Sequence, residues 1–160
     1  MPSLRGYESF EGGYQPTSRL TGTMQMPAAK TFIDSNVLLY LLSADAVKAN
    51  RAEAIVRVGG LISVQVLNEI ANVARRKLAM SWAEINEVLA LIRSICPTEP
   101  LTIEIHDRGR LVAERYGLNV YDAMIVAAAL LTGCETLYSE DMQNGLLIDH
   151  QLSICNPFTG

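Results

Sequence analysis

From Lys30 onward, short runs of apolar residues alternate with longer segments in which apolar residues recur at helical spacing. The short runs have the length of β-strands, and the longer segments have the period of amphipathic helices. The pattern predicts strands at 30–34, 134–139 and 151–155, a brief apolar stretch at 61–62, and helices at 37–43, about 46–57, 63–78, 81–96, 102–116 and 119–133. Strands separated by helices pair in parallel, so we expect an α/β fold with a mostly parallel sheet of four to five short strands flanked by helices.

Residues at the ends of these helices support the assignment. Ser81-Trp-Ala-Glu84 has the spacing of a capping box, in which two side chains satisfy the free backbone donors of a helix N-terminus. Ser63 and Thr102 are further N-cap residues. Gly59-Gly60 and Gly117 stand where two helices are expected to stop, since glycine adopts the left-handed conformation that ends many helices.

Residues 1–28 differ in character from the rest of the chain. They contain Gly12-Gly13, three prolines and scattered Ser and Thr, without a sustained apolar period. We interpret them as a flexible or docked N-terminal extension, and residues 29–160 as one folded domain. Met24 and Met26 leave open a later natural start of translation.

The composition is that of a soluble globular protein, with 49% hydrophobic and 19% charged residues. The longest unbroken apolar run is 123–131, far shorter than the ~20 residues that cross a bilayer, and the N-terminus lacks the apolar region of a secretory signal. Three widely spaced cysteines lie in apolar surroundings, which favours reduced, buried thiols over disulfides or a zinc site. A cytoplasmic location without membrane contact is therefore expected.

The net charge of −4 is unevenly distributed, because all 13 Lys and Arg residues precede residue 116. A large sequence-reading surface for nucleic acid usually shows a basic patch, so the acidic total argues against such a surface. It does not exclude a nuclease, because bound metal ions reverse the sign of the field where a phosphate binds.

Four acids, Asp34, Glu69, Asp122 and Asp141, lie where an apolar element ends or runs into a helix. Asp34 and Asp141 each follow an apolar strand, and in open α/β sheets ligands collect outside the carboxyl ends of the strands. Clustered carboxylates there bind hard divalent cations such as Mg²⁺. If the four acids cluster without metal, their repulsion should raise the pKa of at least one of them.

Each acid also has a purely structural interpretation. Asp34 or Ser35 could cap the following helix, a contribution of ~1 kcal/mol, and Asn36 is either a partner of Asp34 or a first-turn residue. Glu69 lies just outside the apolar face of its helix and could be a solvated charge paired with Arg75 or Arg76.

The two later acids have similar alternatives. Asn119-Val-Tyr-Asp122 is a capping-box arrangement at the head of an apolar helix, and Asp141 could be a solvated loop residue. The joint arrangement of the four acids is more informative than any one of them.

Four segments of the chain resemble motifs of the PIN-domain nucleases, and within that family most resemble the VapC-type toxins of toxin–antitoxin pairs. They are Asp34-Ser-Asn-Val-Leu-Leu-Tyr40, Ser63-Val-Gln-Val-Leu-Asn-Glu69, Tyr116-Gly-Leu-Asn-Val-Tyr-Asp122-Ala and Leu137-Tyr-Ser-Glu-Asp141-Met-Gln, followed by Asn156-Pro-Phe158. The likeness covers roughly residues 29–158 in order. It implies a three-layer PIN-like fold, while the first 28 residues have no counterpart in the family.

The resemblance also implies an activity, a Mg²⁺- or Mn²⁺-dependent endoribonuclease that is usually a homodimer and is held inactive by a cognate antitoxin. Asp34, Glu69, Asp122 and Asp141 match the acidic quartet of the family. Asp34, Asp122 and Asp141 are then the main ligands of one or two ions, and Glu69 binds directly or through water. Asn36 and Ser139 match its frequent polar neighbours, and Glu140 is a further auxiliary candidate. We assign no general base, since neither histidine lies near the acids in sequence.

RNA and protein partners need other surfaces. Arg75, Arg76 and Lys77 end the helix that carries Glu69 and could contact RNA, although they equally complement the dipole of a helix C-terminus or face an acidic partner. Apolar residues on the helices at 37–57 and 81–95 are where we expect an antitoxin or dimer contact.

Three other classes of protein were considered. Haloacid-dehalogenase phosphatases require a second Asp where this chain has Asn36, and receiver domains require a late Lys, whereas no Lys follows Lys77. The remaining alternative is a catalytically inactive PIN-like module that binds RNA or a partner protein.

Overall fold

The computed structural model describes residues 30–160 and contains a four-stranded sheet. Its strands are β1 (Thr31–Ile33), β4 (Thr136–Tyr138), β5 (Leu147–Ile148) and β6 (Leu152–Cys155), and they lie in the order β1-β4-β6-β5. β1, β4 and β6 pair in parallel, and β5 joins the edge of β6 in the antiparallel direction. Phe32, Leu137 and Ile154 are in register across the three parallel strands and are fully buried, so the sheet lies within the core.

A second, parallel pair of strands extends this sheet. β2 (Ile62–Ser63) pairs with β3 (Thr98–Glu99), and a parallel bridge links Leu61 to Phe32 of β1. The backbone N–H of Ile33 donates to the carbonyl of Leu61 at 2.9 Å. The second pair therefore continues the sheet on the far side of β1.

Within residues 30–160, six α-helices connect and flank the strands. They are α1 (Ser35–Leu39, followed by one turn of 3-10 helix, Tyr40–Leu42), α2 (Ala46–Val58), α3 (Val64–Arg76), α4 (Trp82–Ile95), α5 (Ile103–Tyr116) and α6 (Val120–Leu131). The capping box at Ser81 is present in full, and Gly117 ends α5 with a φ of 69°. The predicted α/β class, with a mostly parallel sheet flanked by helices, is confirmed.

The structure corrects the predicted boundaries at several points. β3 and β5 were not predicted, because strands of two residues are too short to display an alternating pattern. α1 begins at Ser35, not at residue 37, because the Asp34 side chain caps it. α3 ends at Arg76 rather than at Leu78, and β4 is shorter than the predicted 134–139.

The most deeply buried helix is α6, in which residues 123–130 are all buried. α5 approaches it closely at Gly109, where an added Cβ would lie 2.8 Å from the Met124 sulfur and 3.3 Å from the Ala123 carbonyl oxygen. Glycine at this point lets the two helices pack together without a side chain between them. This packing fixes the N-terminal end of α6, which carries Asp122.

Two further predictions concern the N-terminal extension and membrane-spanning helices. The extension predicted at 1–28 lies outside the described residues. In the part that is described, none of the helices has both the length and the apolar character required to cross a bilayer.

Candidate active site

Asp34 and Ser139 meet where two neighbouring parallel strands end. Asp34 directly follows β1, Ser139 directly follows β4, and the Ser139 hydroxyl donates to Asp34 Oδ2 at 2.8 Å. The side-chain amide of Asn36 donates to the same oxygen at 3.1 Å, while the Ser35 N–H donates to Oδ1 at 2.7 Å. The carboxylate is thus held by the helix that it caps and by the adjacent strand.

The carboxyl group of Asp34 is only 2% exposed, and its pKa is raised from 3.8 to about 7. Burial is the main cause, because it penalises the charged form, and the nearby charges of Glu69 and Asp122 act in the same direction. The hydrogen bonds from Ser139 and Ser35 oppose the rise. Buried carboxyl groups with strongly raised pKa values are concentrated at functional sites.

Glu69 faces the same site from α3. The Ser35 hydroxyl donates to Glu69 Oε2 at 2.5 Å, and the Gln65 side chain, one helical turn earlier, donates to Oε1 at 3.3 Å. The alternative of a solvated charge paired with Arg75 or Arg76 is therefore wrong, since Glu69 is half-buried and its recorded partners are neutral.

Asp122 combines the two roles considered for it. Its N–H donates to Asn119 Oδ1 at 2.9 Å, and Asn119 Nδ2 donates back to Asp122 Oδ2 at 2.8 Å, which closes the helix N-terminus. The pKa of Asp122 is raised by burial first, then by the charges of Glu69 and Asp141, against the hydrogen bond from Asn119. The hydrogen bonds with Asn119 therefore hold the Asp122 carboxylate near the other acids.

Asp141 is the exposed member of the quartet. It lies in the loop after β4, and its charge reaches Asp122, whose pKa it helps to raise. Its carboxylate makes no hydrogen bond within residues 30–160. The expected rise in at least one carboxyl pKa is present at Asp34 and Asp122, although burial contributes more to it than repulsion does.

Glu140 faces away from this cluster and pairs with a different element. Its Oε1 accepts from Lys48 Nζ at 2.6 Å, and its Oε2 accepts from the Tyr40 hydroxyl at 2.5 Å. Both carboxylate oxygens are engaged, and its N–H donates to Asn36 Oδ1 at 3.1 Å. The pairing argues against Glu140 as an auxiliary ligand and makes it the group that holds Asn36 and the loop after β4.

The basic residues Arg75, Arg76 and Lys77 are exposed at the C-terminal end of α3. Arg75 donates to the Met80 carbonyl at 3.0 Å and lies 5.6 Å from the ring centre of Trp82. None of the three pairs with an acid among the described residues, so their charge is available to a partner molecule.

The donors around Asp34 consist of carboxylate, hydroxyl and amide oxygens, which hard cations prefer. Within residues 30–160, no three His, Cys, Asp or Glu side chains lie close enough to hold one ion together as they stand. The donor chemistry of these oxygens nevertheless fits a hard divalent cation such as Mg²⁺ or Mn²⁺.

Two residues of the site were not singled out as functional from the sequence. Ser35 was predicted only as a cap, yet it links two acids, because its N–H donates to Asp34 and its hydroxyl donates to Glu69. Gln65 is buried and holds Glu69. The sequence did carry a signal for Gln65, because residues four apart on a helix are neighbours, whereas the reach of Ser35 to α3 depends on tertiary packing.

Solved structures of low sequence identity share this fold. A toxin–antitoxin complex from Klebsiella pneumoniae superposes with a TM-score of 0.61 at 19% identity, over 81% of this chain and 98% of that one. VapC20 of Mycobacterium tuberculosis, described as a Sarcin-Ricin loop cleaving toxin, gives 0.59 at 18% identity, over 70% and 90%. VapBC2 of Rickettsia felis, bound to a DNA fragment from its promoter, gives 0.57 at 16% identity, over 79% and 98%.

Comparison with curated proteins gave no match. A family comparison did, and the PIN domain matches residues 31–143, which contain all four acids. The resemblance stated from the sequence motifs is thereby confirmed, and the fold is the one that VapC-type toxins have. The chain belongs to the PIN-domain family.

Proposed function

We propose that this protein is a divalent-metal-dependent endoribonuclease and the toxin of a VapC-type toxin–antitoxin pair. The observation that carries the proposal is the buried Asp34 carboxylate, with its pKa of about 7, facing Glu69 and Asp122 at the carboxyl ends of β1 and β4. Burying a carboxylate beside two others destabilises a fold, and costs of this kind are concentrated at functional sites. A bound cation removes that cost.

Asp34, Asp122 and Asp141 are proposed as the main metal ligands, with Glu69 binding directly or through water. One or two Mg²⁺ or Mn²⁺ ions, when bound, lower the pKa of a water molecule and stabilise charge on the phosphate oxygens. The described histidines, His106 and His150, are both exposed and have no assigned part in the reaction.

The remaining polar residues hold these acids in place. Ser139 and Asn36 hydrogen-bond to Oδ2 of Asp34, so the orientation of the Asp34 carboxylate is set before a cation binds. Ser35 fixes Glu69, and Asn119 fixes Asp122. Among residues 30–160 nothing bonds the Asp141 carboxylate, which leaves this acid able to adjust its position to a bound ion.

An RNA substrate is supported by the PIN family membership and by VapC20, described as cleaving the Sarcin-Ricin loop. Arg75, Arg76 and Lys77 are proposed to contact the phosphate backbone outside the acidic site. Such contacts position a nucleic acid without reading its sequence.

An antitoxin partner is supported by the toxin–antitoxin complexes that share this fold. α4 presents Trp82, Leu91 and Ile95 to solvent, with 58%, 62% and 46% of their surfaces exposed. On α2, Val47 and Val58 are exposed as well. We propose that the antitoxin or a second copy of the chain covers these faces, and that the protein acts in the cytoplasm as a homodimer.

The decisive experiment incubates the purified protein with structured RNAs in Mg²⁺, in Mn²⁺ or in EDTA. Cleavage is expected with either metal and should disappear in EDTA and in Asp122→Asn. Asp107→Asn, at an exposed position of α5, is the matched control and should cleave as the wild type does. Cleavage that survives EDTA or Asp122→Asn would overturn the mechanism. No cleavage with any metal would favour the inactive, partner-binding module.

A further inference from the structure

A cleft of about 580 Å³ lies beside the acids and is lined mainly by side-chain amides. Gln65, Asn68 and Asn72 line it from α3, Asn119 lines it from the start of α6, and Tyr121 adds an aromatic ring. Glu69 and Asp122 form the part of its lining that belongs to the site described above. The cleft therefore opens directly from the proposed reaction centre.

The amides of α3 form one ridge on the helix. Positions 65, 68 and 72 lie three, four and seven residues apart, so they share the helix face that also carries Glu69. Gln65 is 8% exposed and bonded to Glu69, which anchors the buried end of the ridge. Asn68 and Asn72 are exposed, and their side chains make no hydrogen bond within residues 30–160.

Apart from the proposed metal ligands, the chemistry of this lining does not favour a phosphate as its ligand. No Lys or Arg belongs to the described lining, and two carboxylates do. Gln65 and Asn119 are hydrogen-bonded to the acids. Asn68 and Asn72 each present a donor and an acceptor, which is the pattern that hydrogen-bonds the edge of a nucleobase. Tyr121 is 66% exposed and has no hydrogen-bond partner in the described part of the chain, so its ring is open for stacking.

We propose that this amide cleft binds an unpaired nucleobase of the RNA substrate next to the cleaved bond, and so sets the base preference of the enzyme. The proposal rests on the proposed function and adds a recognition site to it. An Arg or Lys side chain from a protein partner would be attracted by the two carboxylates of the lining. It carries donors only, however, and would leave the amide N–H groups without acceptors, which a nucleobase supplies.

The test uses the double variant Asn68→Ala/Asn72→Ala, with Asn86→Ala on the exposed face of α4 as the matched control. Alanine favours a helix more than asparagine does, so the double variant should fold. The side-chain amide signals of the isotope-labelled protein are followed by NMR during titration with short single-stranded RNAs. Each RNA is a homopolymer that contains only one kind of base. Ca²⁺ replaces Mg²⁺, because it takes the same oxygen ligands while supporting cleavage poorly.

Binding of the preferred RNA should move the signals of Asn68 and Asn72 and leave that of Asn86 in place. The double variant should bind this RNA about tenfold more weakly, as expected for the loss of one good base contact. Its cleavage should lose base preference through KM, while the dependence of binding on salt stays unchanged, because no phosphate contact is removed. Tyr121→Leu should weaken binding of every base alike.

The possible failures can be told apart. Wild-type cleavage with unmoved Asn68 and Asn72 signals, or a double variant with unchanged base preference, would overturn the recognition site and leave the nuclease proposal standing. Moved signals without any cleavage would overturn the nuclease proposal and support the site. Signals that move only with an arginine-rich peptide, and not with RNA, would assign the cleft to a protein partner and overturn the inference.

Discussion

The hydroxyl group of Ser35 lies 2.5 Å from Oε2 of Glu69 and links the end of β1 to the middle of α3. The same hydroxyl is 3.3 Å from Asp34 Oδ1, but it has one proton to donate. The shorter distance assigns that proton to Glu69. Ser35 therefore sets the separation of two acids whose charges repel.

Ser35→Ala should loosen Glu69 and weaken metal binding. Removing one positioning group around a metal site commonly reduces affinity or activity by about 10- to 100-fold, and the lost hydrogen bond should cost about 1 kcal/mol of stability. The measurement is the rise in melting temperature across a Mg²⁺ titration, together with RNA cleavage. Ser94→Ala, which removes an exposed hydroxyl of α4, is the control. An unchanged Mg²⁺ midpoint would reduce Ser35 to a structural residue.

The raised pKa of Asp34 should make the stability of the metal-free protein depend on pH. The folded state holds this proton with a pKa of about 7, against 3.8 ordinarily. The contribution of Asp34 to the free energy of unfolding is therefore greatest below about pH 4 and is lost as the pH rises through about 7. In EDTA, the melting temperature should fall between about pH 5.5 and pH 8, and less so in Asp34→Asn.

Mg²⁺ should raise the melting temperature more at the higher pH, because the metal binds the deprotonated carboxylate. Asp107→Asn is again the control and should keep the wild-type pH dependence. An Asp34→Asn protein with the same slope as the wild type would contradict the assignment.

Glu140 and Asp141 are adjacent in sequence but should respond differently to substitution. Glu140→Gln removes a partly exposed ion pair with Lys48, and such pairs contribute little to stability. We expect a slightly lower melting temperature with the Mg²⁺-induced rise retained. Asp141→Asn should show the opposite, a nearly normal melting temperature with a diminished response to Mg²⁺. Loss of the Mg²⁺ response in Glu140→Gln would restore Glu140 as a ligand.

Asp149 should stabilise the fold away from the acids. It accepts hydrogen bonds from Arg108, Arg115 and the Tyr116 hydroxyl, which tie the turn between β5 and β6 to α5. Burial alone would raise the pKa of Asp149, but the hydrogen bonds from Tyr116 and Arg108 outweigh it and lower the pKa below 3.8. Its contribution is therefore present above about pH 4 and is lost at lower pH.

Asp149→Asn should cost about 1 kcal/mol at neutral pH and less at about pH 3, as measured by urea unfolding at the two pH values. Asp107→Asn, whose Arg110 pair is exposed, should have little effect at either pH. An equal decrease in the free energy of unfolding at both pH values would show that Asp149 stabilises the fold by its packing and not by its charge.

The helix ends could be predicted from the sequence because short-range interactions determine them. The capping box at Ser81, the stop at Gly117 and the cap at Asn119 involve residues within a few positions of one another, and the structure contains them all. β3 and β5 were missed because a strand of two residues is defined by its pairing with another strand. β3 pairs with β2 and β5 pairs with β6, and neither pairing is visible in the local sequence.

The site shows the same division. The motifs named all four acids, but not the neutral residues that hold them, because these contacts join distant elements. Glu140 could not be separated from Asp141 by sequence, since its partner Lys48 is 92 positions away. The amide cleft brings α3 together with the start of α6, which only the folded chain places side by side.

The hydrogen bond from Ser139 to Asp34 joins residues that are 105 positions apart, and β4 reaches β1 only when the last third of the chain is present. A growing chain that has reached only α5 holds Asp34 and Glu69 but neither Asp122 nor Asp141. If the chain is the RNA-cleaving enzyme proposed above, a chain synthesised only as far as α5 lacks two of the proposed metal ligands and cannot yet cleave RNA.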